Sequence, residues 1–179
     1  MKLVVAAGHG GTDPGNTWGG TTEAALMVEL RHLVALKLRQ AGHEVLEDGG
    51  RDVNLPLARA MALVPQADVA VELHTNAAAN SAAAGVEVVA APKDAELARR
   101  LARAIGGVLQ VPVRRLQGWY PVDDLARERG FRPGFVRAGG LIVEVFFQSN
   151  PAELRAYQER KWLVASAMAR ALVPALEVA

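Results

Sequence analysis

The sequence contains no cysteine, which excludes disulfides, thiolate zinc sites and thiol nucleophiles, so any metal must be bound by His, Asp or Glu. Aromatic residues make up only 5% of the chain. No apolar run approaches the roughly 18 residues of a membrane-spanning helix. The net charge of +1 gives no electrostatic basis for binding nucleic acid or an anionic membrane surface. We therefore expect a soluble protein with neither partner.

With 51% apolar residues in 179, the chain has enough hydrophobic material for one sizeable core. It shows no internal repeat, low-complexity tail or inter-domain linker, so we expect a single domain over residues 1–179 and a monomer. The apolar run at residues 3–7 is too short for a signal peptide. The sequence thus predicts a protein that is made in the cytoplasm without a secretion signal.

Short apolar segments alternate with segments of helical period, and this alternation is typical of an α/β fold. Strands are predicted at residues 3–7, 44–46, 69–73, 85–90 and 141–147. Helices are predicted at residues 22–41, 55–64, 97–108 and from Pro151 onward, with Asn150 as the cap. Residues 8–20 form a loop, and residues 112–140 are expected to be an irregular, substrate-facing loop. The pattern favours a three-layer αβα sandwich around a mostly parallel, twisted sheet of about six strands.

Parallel sheets place their sites at the carboxyl ends of strands, where two histidines of this sequence are found. His9 lies in a glycine-rich turn after the first predicted strand. That turn lacks the Lys and Ser/Thr of a phosphate-binding loop, so His9 is either a metal ligand or an ordinary turn histidine. His74 ends another predicted strand, and it is either a ligand or a satisfied polar residue.

Two carboxylates occupy positions where burial is expected. Glu23 shares a helical stripe with Leu26 and Leu30, which points it toward the core, although a carboxylate in a first turn also complements the helix dipole. Glu144 interrupts an apolar strand, where a charge is costly unless it is paired or functional. Two histidines and one carboxylate form the set that catalytic zinc favours, with a fourth position open for water.

The order and spacing of four motifs resemble the type-3 N-acetylmuramoyl-L-alanine amidases, a family of cell-wall hydrolases and phage endolysins. The similarity spans almost the whole chain. The motifs are Gly-His-Gly-Gly at 8–11 with Asp-Pro-Gly at 13–15, Glu23, Leu-His-Thr-Asn-Ala at 73–77, and Val-Glu at 143–144 followed by Phe147 and Ser-Asn at 149–150.

This resemblance implies a zinc enzyme that cleaves the amide between N-acetylmuramic acid and L-alanine in peptidoglycan. It implies that His9, Glu23 and His74 bind one zinc ion while Glu144 is the catalytic acid/base. Other residues are expected to support the metal or the substrate: Gly10, Gly11, Glu72, Asn76 and Arg137. Glu72 stands where the family usually has a small residue such as Ser, so it is either a partner of His74 or an exposed charge.

Two other functions fit the same residues. The chain could be another zinc amidohydrolase or carboxypeptidase acting on small peptides, because a ligand set does not fix a substrate. It could also be a non-catalytic module that binds cell walls. The expected setting is a phage-type lysin that acts on the wall of a bacterial host.

Overall fold

The computed structural model describes residues 1–50, 53–130 and 132–173. Its strands are β1 (Lys2–Ala7), β2 (Thr17–Trp18), β3 (Thr21–Thr22), β4 (Glu44–Glu47), β5 (Val69–Asn76), β6 (Glu87–Ala90), β7 (Trp119–Pro121) and β8 (Leu141–Phe147). Its helices are α1 (Glu23–Gln40), α2 (Leu57–Leu63), α3 (Ala95–Leu109), α4 (Val122–Arg129), α5 (Gly134–Arg137) and α6 (Pro151–Leu172). In this described part of the chain, no helix is long and apolar enough to cross a membrane.

Six strands form one sheet in the order β4-β1-β5-β8-β6-β7. Strands β4, β1, β5 and β8 are mutually parallel, whereas β6 runs antiparallel to β8 and β7 runs parallel to β6. The expected mostly parallel sheet of about six strands is confirmed. Its first four strands direct their carboxyl ends to one edge, where His9 follows β1 and His74 lies near the end of β5.

Helices cover both faces of this sheet, which gives the expected three layers. The larger core lies between the sheet and helices α1, α3 and α6, and it includes Leu30, Ile105 and Tyr157. The smaller core lies on the opposite face, where Ala60 of α2, Leu125 of α4 and Phe135 of α5 pack. From Leu3 to Ala7, strand β1 is apolar on both faces because both faces of the sheet are covered.

Most predicted elements are found within a few residues of their expected bounds. The helix predicted at residues 22–41 is α1, and the side chain of Thr22 caps it by accepting a hydrogen bond from the amide of Ala25. Helix α6 begins at Pro151, as expected. An apolar stripe along α6 is buried throughout, namely Leu154, Tyr157, Val164, Met168 and Leu172. These helices could be predicted because they have clear caps and periodic apolar residues.

The expectation of an irregular loop over residues 112–140 is wrong. The segment contains β7, α4 and α5. Helix α4 has only eight residues, of which Val122 and Leu125 are buried, so its apolar face is too short to show a period. Strand β7 pairs only at the edge of the sheet. Tertiary contacts with the sheet, rather than local pattern, order this segment. Residue 131 lies outside the described residues.

Asn150 connects the end of β8 to α6, so its replacement tests the predicted cap. Its side-chain oxygen accepts hydrogen bonds from the amides of Ala152 and Glu153 at 3.0 and 3.3 Å. Loss of such a cap costs about 1 kcal/mol. We expect Asn150→Ala to lower Tm by about 2–4 °C in thermal unfolding. The Asn150 amide also donates to the Ala83 carbonyl, and both Asn150→Ala and Asn150→Ser lose that bond. Asn150→Ser keeps an oxygen that can cap the helix, so it should have a higher Tm than Asn150→Ala, and equal Tm values for the two variants would contradict the role of the cap.

Candidate metal centre

Three neighbouring parallel strands bring the candidate residues together. His9 follows β1, His74 lies near the end of β5, and Glu144 lies in the middle of β8. His74 and Glu144 are direct partners in the β5–β8 register. Glu23, the first residue of α1, reaches the same point from the helix layer, and only 1% of it is exposed. Residues far apart in sequence therefore share one pocket.

His9, Glu23 and His74 form a compact cluster. One potential ligand atom from each lies within 4.8 Å of the other two. Glu23 contacts both rings, because its Oε1 lies 3.1 Å from Nδ1 of His74 and its Oε2 lies 3.4 Å from Nε2 of His9. The ring centroids are 5.2 Å apart with the planes at 80°. Nitrogen and oxygen donors at this spacing are suited to hold one metal ion.

The electrostatics of the cluster favour a cation. Burial by itself would lower the pKa of His74, but hydrogen bonds to Glu23 and Glu72 outweigh it and raise that pKa to about 10. Burial would raise the pKa of Glu23, but hydrogen bonds from His74 and His9 hold it well below its usual range. Positive charge is thus stabilised at this point, and a metal ion would take the place of the imidazole protons.

Glu144 has a carboxylate oxygen that is unsatisfied. Its Oε2 is buried and has no hydrogen-bond partner among the described residues, which is rare for a charged group. Burial raises the pKa of Glu144 to about 7, although the charge of His74 opposes the shift. Beside a metal-binding cluster, such a carboxyl group can exchange protons near neutral pH. The unpartnered oxygen and the donor set both fit a metal centre with a water at its open position.

The backbone around His9 is held by a buried network that sequence reasoning missed. His9 has a φ of 62°, in the left-handed region. The side-chain amide of Asn54 donates to the carbonyl groups of Ala7 and His9. The guanidinium group of Arg31 donates to Asn54 Oδ1 and to Asp48, both at 2.9 Å. Arg31 is fully buried on α1.

One sequence signal could have revealed this network. Arg31 lies two turns beyond Glu23, next to Leu30 on the inward side of α1, and a charge there requires a buried partner. Its partner Asp48 is 1% exposed. The partner could not have been identified, because it lies in a connection without periodic pattern.

Of the residues expected to support the metal or the substrate, some lie beside the two histidines and others do not. Glu72 is 4% exposed and hydrogen-bonds to His74, so it is not an exposed charge. Gly10 and Gly11 line a cavity of about 510 Å³ together with both histidines. Asn76 ends β5, and its amide donates to Glu87 at 3.1 Å. Arg137 is exposed at the end of α5.

Within the described chain, Arg137 makes no hydrogen bond or ion pair to the cluster. The structure therefore gives it no contact with the other candidate residues.

Three aromatic side chains outside the helices, Trp18, Trp119 and Tyr120, differ in how far they are exposed. Tyr120 is 2% exposed, and its hydroxyl group donates to Glu128. Trp119 donates to the carbonyl of Ala90. Trp18 is 45% exposed in the β2–β3 hairpin and remains available for contacts with a ligand.

A three-layer α/β domain with a His-Glu-His cluster and a buried carboxylate beside it has the donor set that is typical of a metal-dependent hydrolase. The chain belongs to the type-3 N-acetylmuramoyl-L-alanine amidase family, whose model matches residues 3–173. The resemblance read from the four motifs is thereby confirmed.

Known structures share the fold. A Neisseria meningitidis protein assigned as an N-acetylmuramoyl-L-alanine amidase is 35% identical, with a TM-score of 0.85 and coverage of 95% of this chain and 92% of that chain. The amidase AmiC2 of Nostoc punctiforme is 22% identical, with a TM-score of 0.79 and coverage of 96% and 94%. At that identity the likeness shows the fold alone.

A curated relative is much longer than this chain. The Staphylococcus aureus protein named "Probable autolysin PH" is 26% identical over 141 residues, which are 69% of this chain and 28% of the relative. The chain thus spans little more than a quarter of that protein.

A substitution at Gly8 tests whether metal binding depends on the position of the His74 ring. A methyl group at residue 8 would overlap this ring, and the Gly8 amide is hydrogen-bonded to the Leu73 carbonyl, so the backbone cannot easily move away. We expect Gly8→Ala to weaken binding of a divalent metal ion by about tenfold or more, measured by competition with a chromogenic chelator.

The matched control is Gly107→Ala, because a methyl group on this helical glycine meets no atom within 4 Å. It should bind metal as the native protein does. Native affinity in Gly8→Ala would show that the ring does not have to occupy its present position.

Proposed function

We propose that the chain is a zinc-dependent amidase that hydrolyses the amide between N-acetylmuramic acid and L-alanine in peptidoglycan. Membership of the amidase family supports the substrate class. The observation that carries the proposal is the convergence of His9, Glu23 and His74 within 4.8 Å, with Glu144 on the adjacent strand. We propose that residues 1–179 form one catalytic domain, of which residues 174–179 lie outside the described residues.

Zinc is the metal that this donor set favours. Catalytic zinc sites commonly use three protein ligands of nitrogen and oxygen and leave the fourth position open. His9, Glu23 and His74 would hold the ion. Zinc bound there would polarise the amide carbonyl group and lower the pKa of a water toward about 7.

Glu144 is suited to move the proton. Its buried Oε2 has no partner in the described chain, and a pKa of about 7 allows the group both to accept and to release a proton at neutral pH. In hydrolysis, Glu144 takes a proton from the attacking water and delivers it to the leaving nitrogen of L-alanine. The C–N bond breaks, and a lactyl carboxylate and a free amine result.

Substitutions separate metal binding from proton transfer. We expect Glu144→Gln to keep one bound zinc but to lose about 10²–10⁴-fold in the rate of amine release from isolated sacculi, because the amide cannot accept the proton. His74→Ala should lose both zinc and activity, because a ligand is gone. Metal analysis and the sacculus digest are made on the same preparations.

The matched control is Glu29→Gln on the exposed side of α1, where Glu29 pairs with Lys161. It should retain both zinc and activity. Full digestion by Glu144→Gln would refute the role of Glu144, and a native protein that binds no zinc would refute the proposed centre.

The protonation state of Glu144 determines the expected pH dependence of kcat/KM. A general base must be ionised, and burial raises the pKa of this group from 4.5 to about 7. The ionised fraction therefore falls tenfold for each pH unit below about 7, and kcat/KM on a soluble muramoyl peptide should fall equally. Zinc content measured at each pH separates this effect from metal loss. A rate that stays constant down to pH 5 with zinc bound would contradict the assignment.

Product analysis decides between the amidase and the alternative hydrolases. The amidase releases stem peptides with an N-terminal alanine and leaves the sugar chains intact. A carboxypeptidase would instead shorten the peptides at their carboxyl ends, and a binding module would release no new amine. The phage-type lysin setting stays a prediction, and lysis of cells by the externally added protein would support it.

A further inference from the structure

Each candidate histidine ligand contacts two carboxylates, one on each ring nitrogen. His74 has Nδ1 at 3.1 Å from Glu23 and Nε2 at 3.1 Å from Glu72. His9 has Nε2 at 3.4 Å from Glu23 and Nδ1 at 2.9 Å from Asp13. Glu23 is thus the shared inner carboxylate, while Glu72 and Asp13 contact the outer nitrogens.

We infer that Glu72 is a positioning residue that fixes the tautomer and the orientation of His74 for metal binding. A metal ligand is a neutral imidazole with one N–H and one lone pair. The Nδ1 atom faces Glu23 and His9, where a metal would lie. The proton then resides on Nε2 and is donated to Glu72.

Burial makes Glu72 a more effective partner than Asp13. Glu72 is 4% exposed in the centre of β5, opposite Ala6 of β1 and Ile142 of β8 in the sheet register. The side chain of Asp13 is 65% exposed, where solvent weakens its hydrogen bond. Because the side chains of His74 and Glu72 are both largely buried, solvent competes less for this hydrogen bond than for the contact with Asp13.

The contact with Glu72 has a chemical as well as a geometric effect. A carboxylate that accepts the distal N–H of a ligating histidine raises the basicity of the ligand, and loss of such a partner typically weakens metal binding 10–100-fold. The inference rests on the proposed function, because it assumes that His74 is a ligand.

The test compares zinc affinity among variants of the full chain. We expect Glu72→Ala to bind zinc about 10–100-fold more weakly than the native protein, by competition with a chromogenic chelator. Glu72→Gln should recover part of the affinity, because the amide oxygen still accepts the N–H but carries no negative charge. Asp13→Ala, the matched variant on His9, should lose less than Glu72→Ala. Thermal unfolding of each apo-protein identifies variants whose fold is damaged.

A spectroscopic readout separates positioning from a general structural role. In ¹H–¹⁵N spectra of the zinc-loaded protein, the His74 ring should show a proton on Nε2 that exchanges slowly with water in the native protein and in Glu72→Gln. The same signal should be lost or exchange rapidly in Glu72→Ala.

Native zinc affinity in Glu72→Ala, or a proton on Nδ1 in the zinc-loaded native protein, would overturn the inference while leaving the proposed function standing. Absence of zinc binding in the native protein would overturn both.

Discussion

The site depends on one carboxylate that two imidazoles share. Glu23 is almost completely buried at the start of α1, and its two oxygens face His9 and His74. It also accepts backbone hydrogen bonds from Asn16 and Thr75, so it joins the loop after β1 to the end of β5. A buried anion with so many donors stays ionised and fixes the rings around it. The chemistry at the sheet edge is built around this group.

The rest of the fold holds that group and its partners in place. The N-cap of α1 sets where Glu23 enters the pocket, and the parallel pairing of β1 with β5 brings His9 beside His74. Arg31 hydrogen-bonds to Asn54, and Asn54 in turn donates to the carbonyl of His9, so this network holds the left-handed backbone of His9 in place. The supporting groups are buried, so the hydrogen bonds that they make are costly to lose. Nε of Arg31 and Oδ2 of Asp48 have no hydrogen-bond partner among the described residues.

Two carboxyl groups of the pocket, Glu23 and Glu144, differ in how readily they ionise. Glu23 stays ionised and Glu144 is shifted toward the neutral form, although the two carboxylates lie in one pocket. The difference arises because Glu23 accepts several hydrogen bonds, whereas Oε2 of Glu144 accepts none in the described chain. In the proposed mechanism, this separation of the two pKa values suits Glu23 to metal binding and Glu144 to proton transfer.

The sequence by itself determined the elements whose patterns are local. Alternating strands and helices, the cap at Asn150, and polar residues at strand ends all follow from spacing and composition. Only the tertiary structure decided that residues 112–140 contain a strand and two helices, that Glu72 is buried and that Arg31 pairs with Asn54. The physical reason is that these features depend on contacts between distant segments, in which burial and hydrogen bonding outweigh local propensity. A short polar helix such as α4 is stable only against the sheet, and a carboxylate such as Glu72 shows its role only beside its histidine.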